Sequence, residues 1–254
     1  MSHWYDNTGK LILEIPKANP KNGMKKTTVG DARKLGFYPS VTTIISQIKS
    51  SGLEMWSTGL FVKQCYNNPP KRDESEDAYK SRISRFVSID KSVAPELGTA
   101  IHNALETFLR NGKIIKEYAE YVLLVDEWLN NNKIIGKEYE KSIDPSACGY
   151  GGTVDFLGYN EDFPIILDFK TKKTKGKKIS QYDGNNMQLV AYKKALSKRM
   201  LSYQNALLIN MYISTDEAGR VESYTLTEDD EVKAWRQFSA LYKYFCATNF
   251  KPII

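Results

Sequence analysis

The stretch Ile165-Ile-Leu-Asp168-Phe-Lys170-Thr171 constrains this chain more than any other. Its apolar residues Ile165, Leu167 and Phe169 alternate with Asp168 and Lys170. In a strand, the acid and the base therefore project together from one face. Thirteen residues before Asp168, Asp155 interrupts Val154-Asp-Phe-Leu in the same manner. Burying one carboxylate without a partner is costly, and burying two on adjacent strands costs more because like charges repel. A hard divalent cation resolves the conflict, since Mg²⁺ takes carboxylate oxygens and keeps waters for a substrate phosphate. The neighbouring lysine adds a positive donor that can hold a water or meet charge developing on phosphate. Alone, Asp-x-Lys reads as an ordinary ion pair. Asp155, the upstream Glu140 and a helix bearing His102 shift the reading to a metal site.

Composition narrows the class. The 254 residues, 41% of them hydrophobic and 26% charged, are ample for a buried core. Lys and Arg number 36 against 30 Asp and Glu, a net +6 that permits a polyanion partner without demanding one. Cys65, Cys148 and Cys246 form no CxxC pair, which argues against a zinc ribbon, a disulfide framework or a local iron–sulfur motif. No apolar run approaches the roughly 18 residues of a membrane span. The opening Met1-Ser-His-Trp-Tyr-Asp lacks the charged and apolar regions of a signal peptide, and Asp6 and Glu14 speak against a transit peptide. The expectation is a soluble, cytoplasmic α/β protein of a reducing compartment. The Lys- and Asn-rich style suggests a virus or mobile element, hence a host cytoplasm.

Along the chain, Asp6-Asn-Thr-Gly9 predicts a turn between Trp4-Tyr5 and Leu11-Ile12-Leu13, followed by an irregular segment from Pro16 to Gly30. A helix capped by Ser40 or Thr42 opens near Pro39, and another runs through Trp56 to Tyr66 and stops at Asn67-Asn68-Pro69-Pro70. Trp56, Phe61 and Tyr66 read as core side chains or as stacking platforms for unpaired bases. Residues 71–91 are charged, an exposed helix or an insertion. From Pro95 a new helix places Ile101, Ala104, Leu105, Phe108 and Leu109 on one face. A helix over 118–130, strands at 137–143, 152–159 and 164–171, a Lys-rich loop, a helix at 185–200 and strands at 205–213 and 219–226 follow. A last helix, capped by Thr227 and Asp230, is expected to bury Val232, Trp235, Phe238, Tyr242 and Phe245.

In this order, Gly98-Thr-Ala-Ile-His102, Glu140, Gly151-Gly-Thr-Val-Asp155, Asp168-Phe-Lys170-Thr171 and Gln188-Leu-Val-Ala-Tyr192 resemble RecB-type nucleases of the PD-(D/E)XK superfamily. Upstream, Pro39-Ser-Val-Thr-Thr-Ile44 and Leu53-Glu-Met-Trp56 are similar to the N-terminal region of phage exonucleases and of the mitochondrial genome maintenance exonuclease. The resemblance covers residues 38–200. It implies a restriction-endonuclease-like core, a central mixed β-sheet flanked by helices, over 96–254. A mainly helical region over 1–95 is then expected to cover the substrate groove. By position, Asp155 and Asp168 bind the catalytic metal with the Phe169 backbone carbonyl, and Lys170 is the catalytic lysine. Glu140 is the acid of the first core strand, with Glu138 as its rival. His102 supports a second metal or positions substrate, and Gln188 and Tyr192 touch the active site or the nucleic acid. Thr171, Lys172, Lys173 and Lys175 follow the catalytic strand, where they can track a phosphate backbone or remain solvated surface.

The implied activity is Mg²⁺-dependent hydrolysis of DNA, with Mn²⁺ able to substitute and no iron–sulfur cluster, by an exonuclease acting on single strands or free ends. A structure-specific endonuclease uses the same chemistry. A catalytically silent nucleic-acid-binding module is the third reading, and the intact acid–acid–lysine set argues against it.

Overall fold

The computed structural model describes residues 2–19, 21, 23–48 and 51–250, apart from the side chains of 51–53 and 92–95. Leu53 of the Leu53–Trp56 motif and the Pro95 side chain thus lie outside the described residues. By contacts the chain divides into one unit of Met1–Gln47 with Ala104–Ile254 and a second of Ile48–Asn103. The sequence reading draws its boundary at 95.

In the larger unit, Asp6 closes the first turn by accepting from the amides of Thr8 (2.9 Å) and Lys10 (3.0 Å). This pairs β1 (Trp4–Tyr5) with β2 (Leu11–Ile12) in the expected hairpin. The Pro16–Gly30 segment is more ordered than its sequence suggests. β3 (Glu14–Pro16) pairs with β4 (Met24–Lys26), and Thr28 and Asp31 form a capping box that starts α1 (Val29–Leu35). The two strands are exposed and polar, so no apolar alternation announces them. After β5 (Tyr38–Pro39), Ser40 caps α2 (Val41–Ile45), accepting from the Thr43 amide at 2.9 Å. Trp4, Ala32, Val41 and Ile44 join the main hydrophobic core, so these first residues are integral to it.

The central sheet has five strands: β6 (Ile135–Ser142), β7 (Thr153–Tyr159), β8 (Pro164–Lys172), β9 (Leu207–Ser214) and β10 (Val221–Thr225). Their spatial order is β10-β9-β8-β7-β6. β8 and β9 are parallel and the other pairs antiparallel, so the fold is α/β with a mixed sheet. The parallel pair needs a crossover, which α7 (Asp183–Ser197) supplies. α5 (Ala119–Asn131) precedes the sheet, the short α6 (Pro145–Cys148) links β6 to β7, and α8 (Glu228–Asn249) closes the chain. The Thr227–Asp230 capping box starts α8 as expected, and Ala234, Phe238 and Phe245 are its buried residues. Val232, expected inside, is 45% exposed, one residue off the buried stripe.

In the smaller unit, α3 (Ser51–Asn67) lies beside the greater part of α4 (Glu76–Asn111), tied by Gln64 to Asp90 (2.7 Å) and Lys91 to Ser57 (2.6 Å). The residues of α4 from Ala104 on belong to the larger unit. α4 is one helix, not a charged segment followed by a new helix at Pro95. An interior proline removes a helix hydrogen bond at a cost of about 3 kcal/mol. Buried Ile83, Val87, Ile101, Ala104 and Leu105, on both sides of it, supply offsetting apolar burial. Trp56, Phe61 and Tyr66, expected first as core, are 45%, 41% and 87% exposed. Among the described residues no helix is long and apolar enough to cross a membrane.

Candidate active site

Strand register builds the site. Phe156 pairs with Leu167, so the next step along β7 and β8 sets Asp155 opposite Asp168. Tyr139 pairs with Phe156 and Lys141 with Val154, which sets Glu140 beside Asp155. On the other flank Asp168 pairs with Asn210 and Lys170 with Tyr212. Side chains in register share a face. Glu140, Asp155, Asp168 and Asn210 therefore form a row across β6, β7, β8 and β9, with Lys170 and Tyr212 one step above it.

Asp168 is completely buried, and its two oxygens have different partners. Gln188 Nε2 donates to Oδ1 at 3.0 Å, and Lys170 forms an ion pair with Oδ2. Gln188 reaches it because the β8–α7–β9 crossover lays α7 over this face. Its Nε2 also contacts the hydroxyl of buried Tyr192, one turn on, at 3.0 Å. Asp155 Oδ2 accepts from the Phe169 amide at 2.8 Å, which fixes this half-buried carboxylate beside β8.

The electrostatics show the strain of this grouping. Burial, then the Asp168 charge, pushes the Asp155 carboxyl well above the ordinary range, although Lys170 and the Phe169 amide pull the other way. Glu140 is pushed up to about 7, mainly by burial and then by Glu106, against the opposing pull of Arg110. At Lys170 burial works against the charge, but Asp168 and Asp155 outweigh it and the ammonium is held above its usual value. Lys170 is therefore held as a cation and a donor. Three carboxylates facing one ammonium leave the row with excess negative potential whenever all are ionised.

A divalent cation fits that excess. Among the described residues no three His, Cys, Asp or Glu side chains close into an ion cage. Mg²⁺ does not require one: one or two carboxylates with waters and substrate phosphate suffice. Asp155 and Asp168 are the two that could hold one, with the Phe169 carbonyl on the same strand as Asp168. Glu140 lies in line but has a backbone φ of 49°, a left-handed kink inside β6. Its rival Glu138 instead pairs with Lys141 at 2.7 Å. His102 belongs to the smaller unit, half-buried in α4, and its role rests on the resemblance alone.

The lysine segment is partly tied down. Lys172, on the same face as Asp168 and Lys170, donates to Tyr182 Oη at 3.0 Å and lies over its ring at 4.3 Å. Buried Thr174 donates its amide to Asp216 Oδ1 at 2.7 Å, anchoring a turn from which Lys173 and Lys175 remain exposed. Thr171 is half-buried at the end of β8.

Sequence reasoning missed several contributors. Tyr5, buried in β1, shares a 3.1 Å hydrogen bond with Thr153 at the head of β7, and it feels the Glu140 charge. Its partner is 148 positions away, so no local pattern links them. The Gly151-Gly152 pair was the available signal. A Cβ on Gly151 would strike the Tyr5 ring, and one on Gly152 would come within 2.5 Å of the Tyr192 ring. The Pro39–Ile44 motif docks at the same place, with Val41 donating to the Gly151 carbonyl (2.9 Å) and Gly151 to that of Pro39 (2.8 Å). Asn210, buried beside Asp168, donates to Asn186 at 2.9 Å.

No known family profile matches the chain, and no curated protein matches it. Among solved structures, the chain is similar to a candidate exonuclease from Eubacterium rectale at TM-score 0.40 and 8% identity, over 60% of this chain and 67% of that one. It is also similar to an alkaline exonuclease from Laribacter hongkongensis at TM-score 0.35 and 10% identity, over 83% and 88% of the two chains. Both are too distant in backbone and sequence to speak for this chain's activity.

Proposed function

We propose that this chain is a divalent-metal-dependent deoxyribonuclease, acting as an exonuclease on single-stranded or end-frayed DNA. The observation that carries the reading is the row Glu140–Asp155–Asp168 across three neighbouring strands, with Lys170 and Gln188 meeting at Asp168. Mutually repelling acids of this kind, Asp168 fully buried and Glu140 and Asp155 half-buried, are a costly arrangement for a fold to keep unless their charge is used. Asp155 and Asp168, with the Phe169 carbonyl, would hold Mg²⁺, or Mn²⁺ in its place. Bound there, the ion would supply Lewis-acid polarisation of a phosphoryl oxygen and charge stabilisation for the leaving oxygen. Gln188 and Lys170 fix the Asp168 carboxylate, and the Phe169 amide fixes that of Asp155, so neither has to reorganise as substrate binds. Lys170 keeps its proton and holds the attacking water, or meets charge growing on the phosphate. Lys172, Lys173, Lys175 and Thr171 stand downstream on the same strand and turn, where a phosphate backbone can run.

The test is a product ladder from end-labelled linear DNA, single- and double-stranded, with Mg²⁺, Mn²⁺ or EDTA. Short products from the single strand that appear only with the divalent ions are expected. No cleavage of any DNA with either ion would remove the reading.

A further inference from the structure

The half of α7 turned away from the acidic row borders a second feature. At about 100° per residue, Gln188 and Tyr192 share one side of the helix, while Lys193, Lys194 and Lys198 fall on the opposite half. Between that half and α8 runs a groove of about 670 Å³. Its floor is aromatic. Buried Tyr150 packs edge-on against Phe238 at 5.0 Å and Tyr242 at 5.6 Å, and half-buried Trp235 adjoins Phe238 at 6.1 Å. The lining also includes Lys193, Lys194, Lys198 and Lys243, and no acid. Lys193 is balanced by Glu231 at 2.7 Å, and Lys198 donates to the Ala147 carbonyl at 2.7 Å. Lys194 lies over the Trp235 ring at 5.6 Å, and both it and Lys243 are exposed.

We propose that this groove is a second binding site, for a short stretch of single-stranded nucleic acid. Aromatic faces take bases irrespective of sequence, and a cationic rim takes the phosphates between them. A peptide of Asp and Glu would engage the lysines but brings no aromatic ring to stack on Trp235 and Tyr242. The volume lies within the range of ordinary ligand sites, and it takes a short segment rather than a duplex. The groove shares no residue with the carboxylate row, so the inference does not depend on the nuclease reading.

The experiment measures binding of a fluorescent oligothymidylate to the full chain in EDTA, where the readout needs no turnover, over a range of salt. Lys194→Glu with Lys243→Glu should weaken binding at least about tenfold and make the slope of log K against log salt shallower by about 1.4, as for two lost phosphate contacts. Trp235→Leu should weaken it at least about fivefold with less change in slope, as for a lost stacking platform. Melting curves of each variant establish that it is folded. If the folded double-lysine variant binds with unchanged affinity and slope, the proposal fails. It fails equally if a polyglutamate peptide displaces the oligonucleotide from the wild type at matched charge. Absence of cleavage by the wild-type chain, with this binding intact, would count against the nuclease reading alone.

Discussion

At the scale of single residues, Asp168 and Lys170 have separable roles. Asp168→Ala removes a carboxylate proposed to hold the cation, and cleavage should fall to background while oligonucleotide binding persists. Near-normal Mg²⁺-dependent turnover in that variant would rule out the site. Lys170→Ala removes a fixed positive donor, and loss of one such donor costs about 10²–10³ in kcat. Steady-state kinetics should show that loss with little change in KM. Glu140 gives a pH signature. In metal-free protein its carboxyl is pushed up to about 7, from an ordinary 4.5. Between those values the folded chain keeps a proton that the unfolded chain has released. The stability that Glu140 contributes must therefore fall as pH rises through that window. Melting temperatures taken in EDTA across it should decline less in Glu140→Gln than in wild type. Identical slopes for the two proteins would mean that Glu140 titrates normally.

At the scale of elements, the glycine pair at the head of β7 couples packing to chemistry. Gly152→Ala puts a methyl group against the Tyr192 ring, which must shift, and Tyr192 in turn steadies the Gln188 amide that holds Asp168. Overpacking of this kind costs about 1–3 kcal/mol, so both the melting temperature and kcat should fall. A drop in stability with kcat intact would show that Tyr192 only fills space. The lysine turn makes a different prediction. Neutralising Lys172, Lys173 and Lys175 together should weaken DNA binding and flatten its salt dependence, because each phosphate contact releases counterion. An unchanged slope would make them solvated surface. These elements were not equally legible in the sequence. β7 and β8 announce themselves through apolar alternation punctuated by Gly and Pro, and so the acids they carry were found. β3, β4 and α1 bury little, and only the Thr28–Asp31 cap marks them. Pro95 reads as a helix start, yet α4 passes through it. The neighbour relation of Glu140 and Asp155 depends on a register that shifts between Gly136 and Glu138, which no side-chain pattern reveals.

At the scale of the whole molecule, the proposed preference for ends needs a source outside the carboxylate row. The row itself has no such preference, since the chemistry at a terminal phosphodiester and at an internal one is the same. Every residue placed in it by the structure belongs to the larger unit, formed by Met1–Gln47 and Ala104–Ile254. The resemblance to exonucleases is carried partly by Pro39–Ile44, which is hydrogen-bonded to the head of β7, and partly by Leu53–Trp56 on α3 of the other unit. α3 also exposes Trp56, Phe61 and Tyr66, side chains on which unpaired bases can stack. A preference for ends would thus draw on both units, and only the complete chain can test it. Linear single-stranded DNA should be degraded to short products, whereas the same sequence closed into a circle should resist. Tyr66→Ala should weaken capture of the linear strand without lowering the melting temperature, because that ring is 87% exposed and contributes little packing. Rapid cutting of the closed circle would assign the protein to endonucleases and leave the metal chemistry proposed for Asp155 and Asp168 untouched.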